Sequence, residues 1–113
     1  TQNNALLKNY PLVVLINKGS ASASEILAGA LRDNRNILIV GETSYGKGSV
    51  QSIFNLPGKA SIKITNAKWF TPNGTSINEN GSKPNIEVKR TDDDIKNDLD
   101  PQLDKAKELI QAF

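Results

Sequence analysis

Two short stretches of this 113-residue chain set chemically capable side chains on small-residue turns. The first is Gly19-Ser20-Ala21-Ser22-Ala23-Ser24-Glu25, with three hydroxyls and a carboxylate. A serine hydroxyl becomes a nucleophile when a base takes its proton and nearby donors stabilise the oxyanion that its attack creates. The second is Gly41-Glu42-Thr43-Ser44-Tyr45-Gly46-Lys47-Gly48, where glycines bracket a lysine and let the backbone pack closely around its stem. Lysine is charged in water, so it serves as a base only where burial disfavours the charged form. Gln51, four residues on, can accept a hydrogen bond from the amine without holding it charged as a carboxylate would.

Each stretch also has a plainer reading. Ser22-Ala23-Ser24-Glu25 fits S-x-x-E, a capping box, and the local pattern favours that role over attack. The two roles compete, because a hydroxyl held on a helix N–H is badly placed to reach a substrate. Lys47 alone reads as an exposed loop lysine. Gly41 to Lys47 also opens like a phosphate-binding loop. However, Gly48 stands where a magnesium-binding Ser or Thr is needed, and SVQSIFNLPG after it reads as strand and turn, not as a helix.

Composition narrows the chemistry. The chain has no histidine, which excludes a Ser-His-Asp triad within it and nearly every zinc hydrolase site. It has no cysteine, so disulfides, thiolate catalysis and Cys-based zinc sites are excluded too. A base supplied by this chain is therefore a carboxylate, a lysine or a tyrosine. The net charge of +2 gives no case for nucleic acid or a membrane surface. No apolar stretch approaches the ~20 residues of a membrane span. The length suits one small domain, and a hydrophobic content of 37% suggests a piece of something larger.

The elements that must carry these stretches follow from periodicity. Pro11 to Asn17 (PLVVLIN) is an apolar, β-branched run, expected to be a central strand buried on both faces. Ala23, Ile26, Leu27, Ala30 and Leu31 form one helical face, ending near Asp33-Asn34. Asn36 to Gly41 is a second buried strand, which completes a parallel βαβ unit. Ser49 to Leu56 and Ala60 to Thr65 alternate as half-buried strands of a hairpin, with Ile62 and Ile64 on one face. A short strand is expected at Ile86-Glu87-Val88. Thr91 to Asp98 reads as an acidic linker. Asp100-Pro101 starts a last helix with an apolar stripe at Leu103, Ala106, Ile110 and Phe113. Asn73-Gly74-Thr75 and Asn80-Gly81-Ser82 match glycosylation acceptors, but turn chemistry accounts for them.

PLVVLINKGSASASE, GETSYGKGSVQ, WFTPNGTSI and PNIEV, in this order and spacing, resemble the C-terminal processing peptidases, or tail-specific proteases. The resemblance covers nearly the whole chain. It implies a partial ClpP/crotonase-like α/β fold, a βαβ unit followed by a β-hairpin and a C-terminal helix. It makes Ser22 the nucleophile, Lys47 the general base, Gln51 the residue that positions Lys47, and the Ala23 N–H half of the oxyanion hole. It implies a serine endopeptidase that needs no metal or cofactor and acts on protein or peptide C-termini. It further implies an upstream PDZ domain and a periplasmic, cell-envelope or secreted location. Residues 1–91 would be the C-terminal portion of the catalytic core, and residues 92–113 an acidic linker and helix. The PDZ domain and the glycine-rich strand that gives the second oxyanion N–H are absent from this sequence, so the 113 residues are expected to hydrolyse little alone. A non-catalytic peptide-binding or scaffold module of the same fold is the alternative. An unpaired strand edge would also allow a homo-oligomer.

Overall fold

The computed structural model describes residues 6–113. The elements run β1 (Val13–Ile16), α1 (Ala23–Arg35), β2 (Leu38–Gly41), β3 (Ser49–Asn55), β4 (Ser61–Lys68), β5 (Ile86–Glu87), α2 (Asp92–Lys96) and α3 (Pro101–Gln111). Two separate sheets form, a parallel one in the order β1-β2-β5 and the antiparallel β3-β4 ribbon. The α/β class and the βαβ unit are those expected from the sequence.

Strand alternation explains the packing. Val14, Ile16 and Ile39 fall on one face of the parallel sheet, where they enclose Ala28 of α1. Leu15 falls on the other face and borders a groove with Gln102 of α3. The β1 strand is not central. Among the described residues it is one of the two sheet edges, and Leu15 stays 43% exposed. The central, buried strand is β2, which takes β1 on one side and β5 on the other.

The helix faces differ from the periodicity in a consistent way. In α1 the buried residues are Glu25, Ala28 and Gly29, and Leu27 points outward, 61% exposed. Small residues let the helix close on its neighbours: a Cβ at Gly29 would lie 2.8 Å from the Thr71 side chain. The helix ends at Asn36, whose left-handed φ of 52° is a common exit for asparagine. In α3 the buried residues are Gln102 and Ala106, and Leu103 and Ile110 stay exposed. The rotation lets Gln102 Nε2 donate to the Val88 carbonyl at 2.8 Å. The stretch read as an acidic linker contains α2, whose Thr91 cap accepts the Asp94 N–H at 3.1 Å.

The β3-β4 ribbon pairs with itself and projects. Its register sets Phe54 opposite Ile62 and Ser52 opposite Ile64. The expected half-burial holds only at the start of β3, at Ser49, Val50 and Ser52; β4 is exposed throughout, and Phe54 remains 55% exposed. The radius of gyration, 17.3 Å, reflects this projection; a compact chain of this length would have about 13 Å.

Candidate active site

The strand-to-helix turn after β1 is closed by Asn17. Its Oδ1 accepts the Gly19 N–H at 2.9 Å, its carbonyl accepts the Ser20 N–H at 2.9 Å, and its own N–H donates to Ser20 Oγ at 3.1 Å. Such an asparagine turn reverses the chain within a few residues. It delivers Ser22 to the N-cap of α1 at φ 53°, ψ −115°. A residue with a Cβ pays on the order of 1–3 kcal/mol for such a conformation and keeps it only where its surroundings over-determine it.

Glu25 supplies those surroundings. Its carboxylate is fully buried and accepts from four donors. Oε2 takes the Ser22 N–H at 2.9 Å and the Lys47 N–H at 3.0 Å. Oε1 takes the Ser44 hydroxyl at 2.5 Å and the Gly46 N–H at 2.6 Å. One oxygen thus joins the backbones of Ser22 and Lys47, whose nitrogens lie within about 6 Å of each other. A further bond, Tyr45 N–H to the Ser20 carbonyl at 2.9 Å, ties the same two loops.

Ser22 and Glu25 have the reciprocal layout of a capping box, yet Ser22 Oγ makes no cap hydrogen bond. The Glu25 and Ile26 N–H groups donate instead to the Ser22 carbonyl, at 3.0 and 3.1 Å. Ser22 is exposed, so its hydroxyl is left toward solvent. The capping-box layout is present, but the hydroxyl is not held in a cap hydrogen bond in this geometry. The Ser24 N–H is taken by the Ala21 carbonyl at 3.2 Å, whereas the Ala23 N–H has no backbone acceptor among the described residues. It therefore stands as a free donor at the positive end of α1.

Lys47 lies in the β2–β3 loop and is exposed. The glycines beside it do not enclose its stem, as the sequence suggested. They admit the turn at 77–81. Gly46 has φ 91°, and a Cβ there would lie 2.9 Å from the Gly81 nitrogen. The Glu79 N–H donates to the Gly46 carbonyl at 2.7 Å. Gln51 sits on β3 just past a register shift, opposite Thr65 and exposed. Among the described residues no hydrogen bond joins Ser22 Oγ, Lys47 Nζ and the Gln51 amide.

Two cavities lie on opposite sides of the parallel sheet, the first beside α1 and the second beside α3. The first, of about 740 Å³, bordered by Arg32, Asp33, Thr71 and Lys83, lies at the C-terminal end of α1, away from Ser22. There the Thr71 hydroxyl first, then the Asn73 N–H and Arg32, hold the Asp33 carboxyl below its ordinary 3.8, against a smaller opposing effect of burial. The Asn73 N–H donates to Asp33 Oδ2 at 3.0 Å and pins the 71–75 loop to the helix. A second cavity, about 470 Å³, reaches Asn17, Lys18 and Gly19 beside the Ser22 turn. Among the described residues no group of three or more His, Cys, Asp or Glu is placed to hold a metal ion.

Sequence reasoning missed Asn17, Ser44 and the main role of Glu25. Glu25 shares the buried helix face of Ala28 and Gly29, i+3 and i+4, and a carboxylate there must find donors, but periodicity had pointed to the Ile26-Leu27-Ala30-Leu31 face.

The profile of Peptidase family S41 matches residues 1–88. Carboxyl-terminal-processing peptidase 2, chloroplastic, of Arabidopsis thaliana is 50% identical over 82 residues, which are 73% of this chain and 16% of that protein. Carboxy-terminal processing protease CtpB of Bacillus subtilis is 49% identical over 85 residues, 75% of this chain and 18% of its own length. The chain thus spans less than a fifth of the length of these two curated relatives. The photosystem II D1 C-terminal processing protease superposes with a TM-score of 0.65 at 46% identity, over 70% of this chain and 20% of that one. The shared α/β frame is ClpP-like.

Proposed function

The chain belongs to Peptidase family S41, and from that premise we propose that it carries the nucleophile and base of a serine peptidase acting at protein C-termini. Ser22 is the nucleophile, Lys47 the general base, Gln51 the residue that orients the Lys47 amine, and the Ala23 N–H one oxyanion donor. The observation that carries this reading is the seat of Ser22. A serine at positive φ, on a strand-to-helix turn, with an unengaged hydroxyl, is backbone strain of the kind that clusters at active sites.

The proposed reaction has two halves. Lys47 Nζ takes the Ser22 proton as Oγ bonds to the scissile carbonyl carbon. The Ala23 N–H donates to the oxyanion, the C–N bond breaks, and the leaving amine takes the proton back. Water then repeats the sequence on the acyl-enzyme. Lys47 must be neutral at the start, and the enclosure this needs would come from bound substrate and from parts of the enzyme outside these 113 residues. The same dependence would leave the isolated chain with little hydrolysis. Substrate delivery by a PDZ domain, and a periplasmic, envelope or secreted setting, belong to the same proposal; the chloroplastic relative widens the range of compartments.

The exposure of Lys47 and its missing bond to Gln51 favour the rival reading, a peptide-binding module without catalysis. Peptide cleavage by the intact peptidase separates the two. The proposal expects Ser22→Ala to abolish cleavage, and cleavage at the wild-type rate would refute it.

A further inference from the structure

Ser44 is buried and its hydroxyl has two partners. The Ser82 N–H donates to Ser44 Oγ at 2.6 Å, and Ser44 Oγ lies 2.5 Å from Glu25 Oε1. A hydroxyl has one proton, and a backbone N–H cannot accept, so the Ser44 proton goes to Glu25. The direction of the chain is fixed: Ser82 N–H to Ser44 Oγ–H to the Glu25 carboxylate. The Ser44 backbone is held as well, its N–H on the Ser82 carbonyl at 3.1 Å. The Gly81 site leaves no room for slack, since a Cβ there would meet the Ser44 carbonyl and approach Ser44 Oγ to 3.2 Å.

The other oxygen of the same carboxylate joins Ser22 and Lys47. A carboxylate is planar, so its rotation moves both oxygens together. Whatever fixes Oε1 therefore fixes where Oε2 holds the two backbones. Two groups fix Oε1, the Ser44 hydroxyl and the Gly46 N–H. Both belong to the loop being positioned and both reach the 77–82 turn, Gly46 through its carbonyl and the Glu79 N–H, but only the Ser44 bond to Oε1 comes from a side chain and can be removed by substitution. Ser44 alone of the two is also anchored by its side chain to a third segment, at Ser82.

We infer that Ser44 is a positioning residue: through Glu25 it sets the distance between the proposed nucleophile and the proposed base. This inference rests on the proposed roles of Ser22 and Lys47. It assigns Ser44 no contact with substrate. Ser44→Ala removes one acceptor from the Ser82 N–H and one donor from Oε1, which leaves Oε1 on the Gly46 N–H alone and loosens the carboxylate. A displacement of the order of 1 Å in such a pair costs about 100-fold in rate.

The test is active-site titration of the intact peptidase with a fluorophosphonate. The Ser22 oxygen bonds to phosphorus, fluoride leaves, and the serine proton passes to the base. A positioning role predicts that Ser44→Ala reaches full final labelling with a rate constant down about 100-fold, that kcat falls in parallel at nearly constant KM, and that Ser44→Thr restores most of the rate. A wild-type rate constant with a reduced labelled fraction would overturn it, because Ser44 would then only hold the fold. So would loss of all labelling in both Ser44→Ala and Ser44→Cys. Failure of the underlying reading looks different: Ser22→Ala would keep cleaving peptide, whatever the Ser44 variants do.

Discussion

The loop at residues 44–48 and the β3-β4 ribbon follow each other directly in the chain, and they are held in opposite ways. The loop is tied on two sides: to Glu25 through Ser44, Gly46 and Lys47, and to the 77–82 turn through Ser44 and Gly46. The ribbon is held by its own ladder, with Phe54, Ile62 and Ile64 uncovered. Where long-range polar groups meet one buried carboxylate, geometry is over-determined and a strained serine can persist. Where a strand pair meets only itself, register is fixed but position is not. Gln51 lies on the ribbon side of that boundary and Lys47 on the loop side.

The largest break in this contrast is chemical. Ser22→Ala should reduce kcat of the intact peptidase by about 10⁴-fold or more, read by peptide cleavage, because a nucleophile has no substitute. Next is the anchor. Glu25→Ala leaves three N–H groups and the Ser44 hydroxyl without their acceptor, and should cost on the order of 3 kcal/mol in denaturant unfolding. A cost under about 1 kcal/mol would mean that the loop is not held as described.

A smaller effect belongs to Asp33, which ties α1 to the 71–75 loop. Its folded value lies below its ordinary one, chiefly through the Thr71 hydroxyl, so its stabilisation is present above pH 3.8 and is lost as pH falls through the depressed folded value. Asp33→Asn should remove about 1 kcal/mol at pH 7 and flatten the acid limb of stability against pH, measured by thermal melting. An unchanged acid limb would show that Asp33 contributes nothing to it. The smallest effect is on the ribbon. Phe54→Ser in this chain should shift stability by no more than about 0.5 kcal/mol, as an uncovered surface position would. A loss of 2 kcal/mol or more would show that the ribbon face is packed after all.

Much of the frame was legible. The runs Pro11 to Asn17 and Asn36 to Gly41 gave strands, and the spacing from Ala23 gave α1, because strong periodicity decides element type. The buried faces were not legible. Ala28 and Gly29 are small rather than strongly apolar, and close approach, not hydrophobicity, chose their side of the helix. The Ser22–Glu25 spacing signalled a local cap, and the Glu25-to-Ser22 half of it is made. The other three bonds of Glu25 reach residues about twenty positions away, which no local pattern reports. The exposure of Lys47 is what its residue type alone suggested, whereas the glycines beside it admit the 77–81 turn and do not pack around its stem.

The central claim is that Ser22 is activated by Lys47 across the bridge that Glu25 makes. The most direct measurement is fluorophosphonate labelling of Ser22 in the intact peptidase, compared with its Lys47→Ala variant. The account predicts labelling of Ser22 in the wild type and almost none in the variant. Equal labelling of both, or labelling of a residue other than Ser22, would contradict it.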